Sequence, residues 1–289
     1  MKHAYLIIAN NDDLSFQTLI KMLDHEENDL FIHFDAKERS FTKQRMEELV
    51  QSAKKSGIFF TDRIKANWGS YSLVKCELIL LEKATETRRY DYYHLLSGKD
   101  LPIQTHHDIQ RFFSDNKGYQ FVGTGPLKDD GKHHDSERIK YYHFFQERIG
   151  RNGNKIWRKA ERVAIKIQKI LGIDRKRETE FMRGPQWFSI THDLARYILE
   201  QKPRIEKLFR YSFCTDELFV QTIIHGTHFE KDIYPKGTMR CTDWNRGNPY
   251  TWREEDFDTL KEDERIFARK FDASVDKGII NKVYSQYCL

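Results

Sequence analysis

Short apolar runs alternating with amphipathic stretches fill the first third of the chain. AYLIIAN (4–10) is a buried-strand run, and LSFQTLIKMLDH (14–25) then has helical apolar spacing. DLFIHFD (29–35) and FTKQRMEELVQSAKK (41–55) repeat that pair. GIFFTD (57–62) is a third strand, SLVKCELILLEKATE (72–86) a strongly apolar helix, and YDYYHLLSG (90–98) a fourth strand. Strands alternating with helices of this length predict a parallel sheet covered on both faces. Ligands of such sheets bind beyond the carboxyl ends of the strands. Three polar breaks fall there: Asn10-Asn11-Asp12, Asp35-Ala36-Lys37 and Ser97-Gly98-Lys99-Asp100. No G-x-G-x-x-G and no G-x-x-x-x-G-K-[ST] is present, so dinucleotide-binding and P-loop readings lack support.

Composition narrows the class. Of 289 residues, 49 are Lys or Arg and 44 Asp or Glu, a net charge of +5. The signs nearly cancel, which excludes disorder driven by self-repulsion, and 13 % aromatic residues supply a packed interior. No repeat, low-complexity tract or Ser/Gly linker separates domains, so residues 1–289 read as one two-lobed domain. The early apolar run Ala4–Ala9 is far short of the ~18–20 residues that span a bilayer. Too little chain precedes it for a charged-then-apolar leader. A cytoplasmic protein is the expectation. Cys76, Cys214, Cys241 and Cys288 form no C-x-x-C pair and no zinc spacing. Cys76 reads as a small buried hydrophobe, and a Cys214–Cys241 disulfide is disfavoured in a reducing compartment.

The middle of the chain opens with the loop GTGPLKDDGKHHD. His133, His134 and Asp135 there lack the spacing that turns two imidazoles toward one ion, and they read as surface loop. A long amphipathic helix follows at 155–171. Ile156, Trp157, Ala160, Val163, Ala164, Ile167, Ile170 and Leu171 lie at helical spacing, opposite Lys155, Arg158, Lys159, Arg162, Lys166 and Lys169. The plain expectation is a solvated charged face over a stripe packed on the core. The alternative is adhesion to an anionic bilayer or substrate.

Several later segments carry candidate chemistry. Asp256-Phe257-Asp258 has the D-x-D spelling of divalent-ion sites, but acids also favour the helix start it occupies. In CTDELFVQTII (214–224), Thr215 or Asp216 is placed to cap an apolar helix, leaving a carboxylate free as a backbone-fixed general base. IFARKFD (266–272) sets Arg269 and Lys270 between Phe267 and Phe271, suited to neutralising phosphate. Trp68, Trp187 and Trp244 lie in polar, Gly-rich settings where indoles stack on sugars or bases, or anchor a core.

Taken in order, AYLIIANN, FIHFDAK, WGSYSLVKCEL, YYHLLSGKDLPI, GPQWFSIT, CTDELFVQT, TDW and FARKFD resemble the core-2/I-branching β-1,6-N-acetylglucosaminyltransferase family, glycosyltransferase family 14, which includes peptide O-xylosyltransferases. The similarity spans roughly residues 4–272 and looks closest to bacterial members. It implies an α/β GT-A type fold: a Rossmann-like mixed sheet with helices on both faces, a nucleotide-binding half (1–122), and a merged acceptor-binding and catalytic half (123–289). It implies inverting, metal-independent transfer of a sugar from a UDP-sugar donor, N-acetylglucosamine first, to a hydroxyl of an acceptor glycan. Neither cofactor nor divalent metal is expected. In the slot where a D-x-D would hold an ion stands Ser97-Gly98-Lys99-Asp100, with one acid.

By position, the resemblance implies Glu217 as the general base and Lys270 as the lysine on the diphosphate. Arg246, then Arg253, stands as its partner arginine, with Arg269 nearby. Asp35, Trp68 and Asn10 would line the uridine pocket. Trp244, Trp187, Asp216 and Asp100 would face the acceptor, with capping as the other role open to Asp216. The acceptor would be an oligosaccharide or lipid-linked glycan in bacterial surface polysaccharide synthesis, with helix 155–171 in peripheral contact with the inner membrane face. Xylose, galactose or glucuronate donors are alternatives on the same scaffold. A glycan-binding relative without activity is disfavoured by the presence of both Glu217 and Lys270. Nucleic-acid binding is disfavoured by the small net charge and by a carboxylate at the proposed centre.

Overall fold

A computed structural model of the protein describes residues 1–130, 134–150, 153–175 and 179–288. The first third folds as its periodicity predicts. Strands β1 (His3–Ala9), β2 (Asn28–Phe34), β3 (Gly57–Phe60) and β4 (Tyr92–Ser97) alternate with helices α1 (Leu14–Leu23), α2 (Lys43–Ser52) and α3 (Tyr71–Thr87). Asp13, Thr42 and Ser70 start these helices, each accepting a backbone N–H from the first turn. After β4 come β5 (Asp100–Pro102), helix α4 (His106–Asp115), β6 (Gly125–Pro126), β7 (Met182–Arg183), β8 (Ser189–Thr191), β9 (Arg240–Thr242) and β10 (Phe267–Arg269).

The larger sheet has the order β3-β2-β1-β4-β8, parallel except for β8. A smaller sheet runs β5-β10-β9, and β6 pairs with β7. This is the mixed α/β architecture expected from the sequence. β1, β2 and β4 are almost wholly buried, because helices and the second sheet cover both of their faces. One apolar core lies between the larger sheet, α1 and the C-terminal helix Lys277–Tyr287, and the other between the sheet, α3 and the helices at 192–224. β8 and β10 lie beyond residue 122 yet complete sheets begun before it.

Cys76, Cys214 and Cys241 are buried free thiols, in line with the reading that disfavours a Cys214–Cys241 bridge. One expectation changes. In the helix Lys155–Ile170 the apolar stripe is not packed on either core: Ile156, Val163, Ile167, Ile170 and the adjoining Leu171 are exposed, while Glu161 and Gln168 are buried. The seam is polar because it meets backbone. Glu161 accepts from the Phe145 N–H at 3.1 Å, and Gln168 exchanges bonds of 2.7 and 2.9 Å with the Tyr142 backbone.

Gly69 ends the loop before α3 with φ +74°, and a Cβ there would stand 2.5 Å from the Phe213 ring. Gly118 has φ +96° and open space around it. Gly118→Ala is therefore expected to cost about 1 kcal/mol of backbone strain. Gly69→Ala adds a clash and is expected to cost about 2–4 kcal/mol, a contrast that urea unfolding of both variants measures.

Candidate active site

Three strands of the larger sheet end side by side. Ala9 pairs with Phe34 and Ile8 with Ser97, so Asn10, Asp35 and the turn Gly98-Lys99 emerge together. Asn10 is exposed and Asp35 buried. The Asp35 carboxylate accepts the backbone N–H of Lys37 at 2.9 Å and lies 3.2 Å from the Lys37 ammonium. Lys37 Nζ also donates to the Ala66 carbonyl at 2.6 Å. These bonds tie Asp35 to the loop that carries Trp68, whose half-exposed ring meets Phe213 edge-on, centroids 5.6 Å apart.

The same loop positions the acidic segment. The Cys214 N–H donates to the Gly69 carbonyl at 2.9 Å, and Cys214 adopts φ 48°. That left-handed residue launches a single 3-10 turn, Thr215–Glu217, before a helix beginning at Phe219. Neither Thr215 nor Asp216 caps the helix, contrary to expectation. The turn sends Asp216 inward instead of toward an acceptor. Asp216 is buried, and Oδ1 finds no hydrogen-bond partner among the described residues. Burial, reinforced by the charge of Glu217, pushes its pKa up to about 7. The carboxyl of Glu77 on α3, buried with Gln186 Nε2 at 2.8 Å, is likewise held well above the carboxylate range by burial.

Glu217 is 37 % exposed, and its Oε2 accepts from Arg138 Nη1 at 2.8 Å. Among the described residues, Oε1 accepts no side-chain or backbone bond. Burial works against the Arg138 charge, but the bond to Glu217 together with the charges of Cys214, Glu217 and Asp135 outweighs it and raises the guanidinium pKa. Behind Arg138 stands Asp135, fully buried, 3.4 Å from Arg138 Nε and 2.9 Å from Arg183 Nη1. Asp135 is thus an anchor for two guanidiniums, where the loop pattern predicted a surface residue. His134 is exposed, and His133 lies outside the described residues.

On the cationic side, the Gly184 N–H donates to the Glu217 carbonyl at 2.9 Å. Further along that segment, Trp187 lies 4.4 Å from the Arg269 guanidinium. Arg269 bonds Ser97 Oγ and pairs with Asp100 at 2.7 Å. Asp100, expected on the acceptor side, is buried and also accepts the Ser97 N–H at 2.8 Å. Its carboxylate is used internally. Lys270 is partly exposed, with Nζ 3.7 Å from Asp272 Oδ2. Lys99 reaches the other Asp272 oxygen at 3.3 Å and also pairs with Asp13. Burial raises the Asp272 pKa, but bonds from Ser274 and the nearby Lys99 outweigh it and hold the value down to about 2. Lys99 was not singled out from the sequence, although its place in the turn after β4 was the available signal.

The remaining candidates are less converged. Arg246 is held by Asp243 at 2.5 Å and by buried Asp256 at 2.6 Å, with Tyr250 beneath it at 4.0 Å. The D-x-D spelling therefore supplies an arginine partner. Arg253 is exposed, and its backbone N–H bonds Asp256 at 2.9 Å. Trp252, which the sequence reading passed over, is buried and ties this loop to the cations. Its indole N–H bonds the Arg269 carbonyl at 2.9 Å and its backbone N–H the Lys270 carbonyl at 3.0 Å. Trp244 is largely exposed.

Because the folded-state pKa of Asp216 is raised, its neutral form stabilises the fold below about pH 4. That contribution is lost as pH rises through about 7. Asp216→Asn is expected to lessen the decline in unfolding free energy between pH 5 and 8, by on the order of a few kcal/mol. Urea unfolding of both proteins at the two pH values checks it.

A family model described as "Branch: Core-2/I-Branching enzyme" matches residues 3–263. Xylosyltransferase 2 of Rattus norvegicus is 23 % identical over 303 residues, covering 96 % of this chain and 32 % of that protein. Xylosyltransferase 2 of Bos taurus is 24 % identical, with 97 % and 33 % covered. Xylosyltransferase 1 of Rattus norvegicus is 22 % identical, with 97 % and 34 % covered. The chain thus spans about a third of the length of these relatives. Among solved structures, "Crystal structure of S. aureus TarS 1-349" aligns over 50 % of this chain and 41 % of that one, at 10 % identity and a TM-score of 0.31, too slight a likeness to carry an argument. The family match runs from β1 through the turn bearing Glu217 to residue 263, and the chain belongs to the Core-2/I-branching enzyme family.

Proposed function

We propose that the protein is an inverting glycosyltransferase that moves a sugar from a UDP-sugar to a hydroxyl of an acceptor glycan. The observation that carries this reading is the placement of an accessible carboxylate, Glu217, and two lysines, Lys99 and Lys270, on segments gathered around the same strand ends. Glu217 Oε1 takes the proton of the acceptor hydroxyl while that oxygen attacks the anomeric carbon. The bond from that carbon to the diphosphate breaks on the opposite face, so an α-linked donor gives a β-linked product. Charge developing on departing UDP is met by Lys270 and Lys99, preorganised by Asp272 and Asp13. Arg138, fixed by Asp135, holds the second oxygen of Glu217 and so aims the first.

The same cations support a reaction that needs no divalent ion. At the end of β4 the Lys99 ammonium sits between Asp13 and Asp272, and Asp100 is taken by Arg269. Among the described residues, the group with metal-like spacing is His25, Glu27 and His106, at the amino ends of β1 and β2. The uridine would lie between Asn10, Asp35 and Trp68, and the acceptor near Trp187 and Trp244. N-acetylglucosamine is the donor sugar that the resemblance to the core-2/I-branching β-1,6-N-acetylglucosaminyltransferases implies. The relatives named xylosyltransferase favour xylose as a second reading. A lipid-linked glycan of a bacterial surface polysaccharide is the acceptor class we favour, with the reaction on the cytoplasmic side of the membrane.

Glu217→Gln is expected to lower turnover by about 10²–10⁴-fold with UDP affinity retained, read by donor-consumption kinetics with UDP-N-acetylglucosamine and UDP-xylose in parallel. Near-normal turnover in the variant rejects Glu217 as the base. Lys270→Ala is expected to weaken UDP binding and slow transfer together, by about 2–4 kcal/mol in the transition state. Calorimetric UDP titration in excess EDTA and again with Mn²⁺ is expected to give one affinity. Binding that appears only with Mn²⁺ rejects the lysine-only account of the leaving group.

A further inference from the structure

The helix Lys155–Ile170 carries its hydrophobic residues on the outside. Ile156, Val163, Ile167, Ile170 and the adjoining Leu171 are between 49 % and 76 % exposed. At 3.6 residues per turn they fall within an arc of about 100°. Lys155, Arg158, Lys159, Arg162, Lys166 and Lys169 fill the neighbouring arc of about 100°. The third side is the seam to the protein. There Glu161 binds His143 at 2.9 Å and the Phe145 N–H, Gln168 binds the Tyr142 backbone, and Trp157 sits between Phe145 and the Arg148 guanidinium.

We propose that this helix is a membrane-surface element, lying in the plane of an anionic bilayer with its isoleucine stripe in the acyl boundary and its basic flank on the headgroups. Contiguous exposed apolar residues on one helix face mark an interaction surface. The cationic flank selects the partner. A second copy of the chain would bring two like-charged flanks together, and nucleic acid would leave the apolar stripe in water. An anionic lipid surface satisfies both arcs at once. The helix lies along this surface without crossing the bilayer, because no described helix is long and apolar enough to span one. The geometry also fits the glycan reading. The seam residues Tyr142, His143 and Phe145 follow closely on the short helix Glu137–Lys140, whose Arg138 holds Glu217, so a docked helix holds the acceptor side of the site near the lipid.

The test uses the full chain with sedimented vesicles of phosphatidylcholine alone or with about one-third phosphatidylglycerol. Expected is binding to the anionic vesicles, weak binding to the neutral ones, and release by salt. Ile167→Asn with Ile170→Asn is expected to lower partitioning more than about tenfold. Arg162→Glu with Lys166→Glu is expected to lower it more than about twentyfold, at roughly fivefold per cation. All of these side chains are exposed, and circular dichroism confirms the fold of each variant. Wild-type protein that stays in the supernatant with anionic vesicles overturns the proposal. So does binding that neither pair of substitutions weakens, or a dimer by sedimentation velocity that the asparagine pair dissolves. UDP binding measured on the same samples is expected to be unchanged by both pairs, and its loss in the wild type counts against the donor reading alone.

Discussion

The parallel pairing of β1 with β2 on one side and β4 on the other is the constraint from which the rest of the molecule follows. The register brings all three strands to an end at nearly the same level, so Asn10, Asp35 and the turn bearing Lys99 leave the sheet at one edge. The turn after β4 fits closely there. A Cβ on Gly98 would stand 3.2 Å from Ala9 Cβ and 3.3 Å from Phe16, so a bare backbone is what lets Lys99 swing to Asp13 and Asp272. Burial on both faces fixes this edge, because slipping any central strand by one residue would exchange the side chains packed into the two cores.

Around that edge, backbone bonds assemble the chemistry. The Gly69 carbonyl holds Cys214, the Gly184 N–H holds Glu217, and Trp252 holds the carbonyls of Arg269 and Lys270. These contacts join five segments of the chain through backbone groups, and they leave the candidate side chains unconsumed. The electrostatics follow the same plan. Asp135 is buried, yet it is matched by Arg138 and Arg183, and removing one member of such a set leaves an uncompensated charge. Asp216 and Glu77 are buried with no ion-pair partner among the described residues, and burial raises their pKa values instead.

Much of this was legible beforehand. The four strands and three helices of the first third stand within a few residues of their predicted places, because each carries its own periodicity and cap. Glu217 and Lys270 stood out as candidates from the sequence pattern, although the pattern held no distance between them. Less legible were residues whose role depends on a distant partner. Asp135 looked like loop polarity, Asp100 and Asp216 looked free to meet an acceptor, and Lys99 looked like an ordinary turn residue. Burial and pairing are properties of the surroundings, and local spelling does not encode them.

The helix Lys155–Ile170 separates the two kinds of information most clearly. Sequence alone determined that it is helical, that its apolar residues share one face and that its cations share another, since those facts depend only on spacing and the helical repeat. Which face turns inward was decided by tertiary structure. The segment Tyr142–Phe145 presents backbone groups and a histidine that need hydrogen-bond partners, and Glu161 and Gln168 supply them. Satisfying those polar groups fixed the seam, and the hydrophobic stripe was left facing out.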